Sequence, residues 1–148
     1  MKYTDIPRHQ IELLVAHVFK RDRLWVLTHG DTVLSDDHLQ SLVGFHDQLM
    51  TDLPLAYIVG YKRFYDVDFV INHHVLIPRQ ETEELVQRLV NLYLASEKLT
   101  LVDIGTGSGC IGLTLARLLP SAQLVLTDTS KQALAVAQKN YQIQSSPS

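Results

Sequence analysis

Between residues 6 and 52 the apolar positions recur every three to four residues, the period of helices that bury one face. Ile11, Leu14, Val15, Val18 and Phe19 form the first stripe, and Pro7 suits its first turn. A second, shorter stripe of Leu24, Trp25 and Leu27 runs from about Asp22 to Thr28 and stops near Gly30. A third follows Ser35, whose hydroxyl can cap a helix, and predicts Leu39, Leu42, Val43, Phe45 and Leu49 facing inward. Pro54 to Gly60 adds one or two turns, opened by proline and closed by glycine. Short amphipathic helices joined by brief polar turns predict a small bundle over residues 1–60, able to fold without the rest of the chain.

From Lys62 the period drops towards two. Phe64, Tyr65, Val67, Phe69, Ile71, Val75 and Ile77 are strand formers interrupted by Asn72-His73-His74, which predicts a β-hairpin over 61–78 broken at that triplet. Adjacent side chains on a turn are expected to point apart, so His73-His74 reads as loop rather than as a metal pair. After Pro78 the helical period returns, with Leu85, Val86, Leu89, Val90 and Tyr93 on one face and acidic residues in the first turn, where they suit the helix dipole. Next come an apolar run from Leu99 to Ile104, a glycine-rich turn, an apolar helix, a second run Leu124 to Thr127 and a closing helix. The fold class is therefore α+β overall. A helical domain (1–60) and a hairpin linker (61–78) precede the opening β-α-β-α part of an α/β domain (79–148).

Composition narrows the function classes. A chain of 148 residues with 46% apolar and 20% charged residues can bury a core. Net charge of -3 and the lack of a Lys/Arg block argue against nucleic acid as a direct partner. One cysteine forms no internal disulfide, no apolar run reaches the ~20 residues that span a bilayer, and the N-terminus lacks a signal peptide's apolar stretch, so no membrane is expected and the cytoplasm is the expected location. His9, His17, His29, His38 and His46 show no metal-ligand spacing, and no metal is expected.

The chemistry is expected at Leu101-Val-Asp-Ile-Gly-Thr-Gly-Ser-Gly109. Glycines at 105, 107 and 109 allow a tight reversal and let the backbone lie against a ligand, with its amides expected free to bind. Gly107-Ser-Gly109-Cys-Ile-Gly112 also satisfies the dinucleotide pattern G-x-G-x-x-G. Asp103, two residues before the first glycine, would repel a pyrophosphate and attract an ammonium group such as the methionine end of S-adenosylmethionine. Asp128, at the end of the second strand, stands where such folds put a carboxylate on ribose hydroxyls.

Pro54-Leu-Ala-Tyr-Ile-Val-Gly60, Leu76-Ile-Pro-Arg-Gln-Glu-Thr-Glu-Glu-Leu-Val86 and Val102-Asp-Ile-Gly-Thr-Gly-Ser-Gly109, in this order and spacing, resemble the peptide chain release factor N(5)-glutamine methyltransferases. The resemblance covers about Ile11 to Asn140. It implies an N-terminal domain that holds the release factor, a hairpin linker and an S-adenosylmethionine-dependent domain of seven-stranded α/β type, serving translation termination. It places Gly105, Thr106, Gly107, Ser108 and Gly109 at the cofactor's methionine end, Asp128 at its ribose, and Arg79, Thr82 and Glu83 near the active site. Two positions depart from the family pattern. Gln80 stands where a proline usually follows the arginine, and no Asn-Pro-Pro-Tyr occurs, because Asn72, Asn91 and Asn140 are the only asparagines and none precedes a proline. No catalytic residue is therefore assigned, and the chain is expected to be incomplete and inactive as it stands. The alternatives are a catalytically silent release-factor-binding module and a nicotinamide-dependent oxidoreductase fragment.

Overall fold

Asp22 accepts a hydrogen bond from the Trp25 amide (2.7 Å) and Ser35 one from that of His38 (3.3 Å), so two early helices begin at the side chains that cap them. The computed structural model describes residues 6–94 and 98–145, and the chain divides into two units, Met1–Val59 and Gly60–Ser148. The first contains α1 (Arg8–Phe19), α2 (Arg23–Thr28), α3 (Asp36–Leu49) and α4 (Leu55–Val59). Phe19 packs at a tilt against Trp25 of α2 and His38 of α3, with ring centroids 5.3 and 4.3 Å away. Glu12 is buried beside Leu14 and Ala16 and joins α1 to α2. Its Oε1 accepts from Arg8 Nε (2.9 Å) and its Oε2 from Arg23 Nε (2.8 Å). The two guanidiniums, Arg23 foremost, hold its carboxyl below the usual range.

That arrangement changes which residues face inward. With Glu12 on the inner side of α1, Ile11 turns out and is 47% exposed, against the sequence expectation. On α3 the apolar residues spread over two faces. Leu42, Phe45 and Leu49 are half-buried, whereas Leu39 and Val43, one turn apart, are exposed.

The second unit opens with β1 (Tyr61–Phe64) and β2 (Val67–Val70), an antiparallel pair in which Phe64 faces Val67. The chain thus reverses at Tyr65-Asp66 and not at Asn72–His74. No glycine or asparagine marks this two-residue turn; Tyr65 itself takes a positive φ of 57°. Asn72 instead makes a local turn, its Oδ1 accepting the His74 amide (2.9 Å), and residues 71–80 form no second strand. The rings of His73 and His74 do not point apart; their centroids lie 3.9 Å from each other.

Then follow α5 (Glu81–Tyr93), β3 (Leu99–Ile104), α6 (Cys110–Leu118), β4 (Ala122–Thr127) and α7 (Lys131–Ser145). β3 and β4 pair in parallel from Leu99↔Ala122 to Ile104↔Thr127, joined through α6 in the β-α-β manner. Phe64 and Phe69 meet edge-on at 6.1 Å in a buried cluster with Val86 of α5 and Cys110, Leu113 and Leu115 of α6. Alternate strand residues Leu99, Leu101, Leu124 and Leu126 pack on this cluster. The hairpin is fastened at its turn as well. The Tyr65 amide donates to Glu83 Oε1 (2.9 Å), the Tyr65 hydroxyl to Gln87 (3.0 Å), and Asp66 pairs with Arg117 of α6.

Candidate functional site

Because β3 and β4 end side by side, residue 105 and Asp128 leave the sheet as neighbours. The Thr127 carbonyl accepts the amides of both Gly105 and Thr106, each at 2.9 Å. Asp128 Oδ2 accepts the Gly107 amide (2.9 Å) and its Oδ1 that of Ser130 (2.9 Å), while the Gly109 amide closes onto the Thr106 carbonyl (2.8 Å). Asp103 reaches in from β3, its Oδ2 accepting the Thr106 hydroxyl (2.8 Å) and the Gly112 amide (3.1 Å). The amides of residues 105, 106, 107 and 109 are therefore engaged within the protein, against the expectation that they stand free. The strand-end acceptors Thr127 and Asp128 and the turn's own Thr106 carbonyl take them. These four amides are thus unavailable to a diphosphate, which favours the reading of the pocket set by Asp103 and Asp128 over the dinucleotide one.

Gly105, Gly107 and Gly109 take φ of +75°, +57° and +81°. A Cβ built at Gly105 or Gly107 meets nothing within 4 Å, so glycine is needed there for the backbone conformation, and that side of the loop stays open. Gly112 answers a different need. A Cβ there would strike Leu126 of β4 and come within 3.0 Å of Asp103 Oδ2, so glycine lets α6 lie against the sheet with its amide on Asp103.

Asp128 is held ionised, its carboxyl lowered chiefly by the amides of Ser130 and Gly107. Oδ2 accepts the Gly107 amide and Oδ1 that of Ser130, and the Thr129 amide adds to the lowering. Asp103 Oδ1 makes no hydrogen bond among the described residues, which leaves it available to a cation. Thr106 and Ser108 are buried within the turn. At the start of α5, the Thr82 amide donates to the Arg79 carbonyl (3.1 Å), Arg79 is exposed, and Glu83 is committed to the hairpin. No hydrogen bond or ion pair among the described residues joins Arg79, Thr82 or Glu83 to the glycine loop or Asp128.

The sequence reading missed Gly112 as a packing residue and missed Asn140 altogether. A signal for the latter exists: Ala133, Val136, Ala137 and Asn140 form one buried stripe on α7, so a polar residue occupies a core-facing position.

Residues 1–60 match the PrmC N-terminal domain and residues 80–147 the methyltransferase small domain. The release factor glutamine methyltransferase of Xylella fastidiosa (strain Temecula1) is 40% identical over 136 residues, covering 91% of this chain and 49% of that protein. The protein of the same name from Escherichia coli K12 is 31% identical over 142 residues, covering 96% and 51%. Over most of its length the chain is similar to proteins named release factor glutamine methyltransferase. It spans about half the length of the curated relatives it matches. The four-helix unit lies in the PrmC N-terminal match, and the glycine loop, Asp103 and Asp128 lie in the methyltransferase match. No helix among the described residues is long and apolar enough to cross a membrane.

Proposed function

We propose that the chain carries the release-factor-binding helices and the S-adenosylmethionine-binding part of a cytoplasmic enzyme that methylates the side-chain amide nitrogen of a glutamine in peptide chain release factors. The observation that carries this reading is the glycine loop closed on two carboxylates with its amides engaged. Open backbone at Gly105 and Gly107, a carboxylate oxygen without a partner on Asp103 and an ionised Asp128 suit a ligand with an ammonium group and ribose hydroxyls rather than a diphosphate. S-adenosylmethionine, when bound, supplies an electrophilic methyl group on a sulfonium.

Asp103, with Gly105, Thr106, Gly107, Ser108 and Gly109, holds the amino-acid end, and Asp128 holds the ribose. A glutamine carboxamide is a weak nucleophile because its nitrogen lone pair is delocalised, so the protein's main contribution is to fix the amide in line with the methyl group. Arg79, Thr82 and Glu83 belong to the surroundings of that amide. Glu83 contributes by holding the hairpin turn through the Tyr65 amide. The Asn-Pro-Pro-Tyr segment that orients the amide in the family is not among these residues. Residues 1–148 alone are therefore expected to bind the cofactor without transferring its methyl group.

Calorimetric titration of the chain with S-adenosylmethionine and, separately, with NAD is expected to show binding of the first only. Asp128→Ala is expected to weaken that binding severalfold. Methyl transfer is read with labelled S-adenosylmethionine and a release factor. Binding of NAD, or equal affinity in Asp128→Ala and the parent, would overturn the assignment of the loop. Labelled glutamine formed by residues 1–148 alone would show that the reacting amide is held by residues other than those named.

A further inference from the structure

Asn140 faces inward from α7 with 1% of its surface exposed, and its carboxamide makes three hydrogen bonds. Oδ1 accepts the Val70 amide (2.7 Å), and Nδ2 donates to the Val70 carbonyl and to the Ser108 carbonyl, each at 2.9 Å. Val70 ends the hairpin's second strand, and Ser108 lies in the middle of the glycine loop. One side chain thus satisfies both backbone groups of a hairpin residue and one carbonyl of the loop. The small Ala133 and Ala137 on the same stripe let α7 come this close. Ser108 is itself 2% exposed, so in the folded chain its carbonyl is shielded from solvent and is satisfied by Asn140.

The rest of the loop is tied within its own strand-turn-helix segment and to the neighbouring strand end. The Gly107 amide goes to Asp128 and the Gly109 amide to Thr106. The Ser108 carbonyl, on the same peptide group as the Gly109 amide, is held from α7 by a side chain that also holds the hairpin. We propose that Asn140 is a positioning residue for the cofactor loop, and that its carboxamide couples the ordering of this loop to that of the hairpin. The coupling to cofactor rests on the S-adenosylmethionine reading above; the fixing of the loop does not.

The test is amide hydrogen exchange on the 15N-labelled chain, with Asn140→Ala and Asn140→Asp compared with Val86→Ala. Val86 is a fully buried residue of α5 in the cluster with Phe64, Phe69 and Leu113 and makes no hydrogen bond to the loop through its side chain, so it controls for loss of stability. Without cofactor, both Asn140 variants are expected to exchange the Gly107 and Gly109 amides about tenfold faster than the parent, whereas Val86→Ala leaves them unchanged. Adding S-adenosylmethionine is expected to slow exchange at Val70 in the parent, and its affinity for Asn140→Asp is expected to fall about tenfold. Unchanged loop exchange in the Asn140 variants, or an equal loss of affinity in Val86→Ala, would overturn the proposal. Should Asn140→Ala fail to fold, the parent decides: cofactor binding with no response at Val70 overturns the coupling. If the parent binds no S-adenosylmethionine while Asn140→Asp still loosens the loop, the cofactor reading fails and the positioning of the loop by Asn140 stands.

Discussion

The two units are both rich in apolar residues, yet they bury them to very different depths. In the first, the fully buried positions among the described residues are Glu12, Leu14 and Ala16, and α2, α3 and α4 bury no residue completely. In the second, Phe64, Phe69 and Val86 are 1% exposed or less, inside a cluster to which the hairpin, α5 and α6 all contribute. Short helices of five to fourteen residues present narrow stripes, and a layer of four of them has little interior. A hairpin and one face of a parallel pair, covered by helices, enclose a deeper core, while the other face of the pair leaves Val102, Ile104 and Val125 exposed. The lesson is that helical periodicity indicates a bundle without indicating how deep its core is, and that the shallow unit relies on ring contacts and the Glu12 ion pairs for its register.

The largest effect is expected at the centre of the deep core. Phe69→Ala is expected to cost about 3–5 kcal/mol, and Leu14→Ala, the best buried large side chain of the bundle, about 2 kcal/mol. Denaturant midpoints of the two variants measure the difference, and equal losses would break the contrast between the units. Residues 1–59 alone are expected to give a helical circular dichroism spectrum with a broad melt. A sharp, cooperative melt would show that ring and ion-pair contacts suffice where burial is thin.

A smaller effect of pH is expected in the bundle. Glu12 has its carboxyl depressed by Arg23 and Arg8. A depressed group binds its proton less readily folded than unfolded. Its stabilisation is therefore complete above the ordinary glutamate value of about 4.3 and is lost as pH falls through the folded value. Trp25 is the only tryptophan, and α2 carries it next to Arg23, so its fluorescence follows the bundle. The fluorescence-detected melting temperature is expected to fall between about pH 5 and pH 3. Glu12→Gln should lower stability at pH 7 and flatten this dependence. An unchanged slope would remove Glu12 from the acid response.

Much of this organisation is legible in the residues, and the exceptions share a cause. The cap at Ser35, the glycine triplet at the end of β3 and the helical period of α5 are local signals, and the structure follows them, although Leu85 and Tyr93 of the α5 stripe are exposed. The hairpin turn was not legible, because Tyr65 adopts positive φ under tertiary constraint, pinned by Glu83 and Gln87 from a helix sixteen or more residues away. The orientation of α1 was not legible either, since a buried glutamate becomes acceptable only when Arg23 arrives from the next helix. At the loop, the residue types pointed to the right place, but the engagement of its amides depends on Thr127 and Asp128, which come from the neighbouring strand.

The smallest effect is expected at Cys110, beside the loop in the well-packed unit. It is the first residue of α6, where the helix dipole would favour a thiolate, and a hydrogen bond with Ser108 acts in the same direction. Burial acts against both and dominates, pushing the thiol above its ordinary value, so the group stays protonated and serves as a small packing residue. Cys110→Ala is therefore expected to cost on the order of 1 kcal/mol and to leave S-adenosylmethionine affinity unchanged. Iodoacetamide is expected to modify the native chain no faster than the unit opens, so that denaturant accelerates labelling in step with unfolding. Rapid labelling of the folded protein would mean that the segment after Gly109 is loose. The contrast between a shallow bundle and a rigid cofactor unit would then stop at the loop itself.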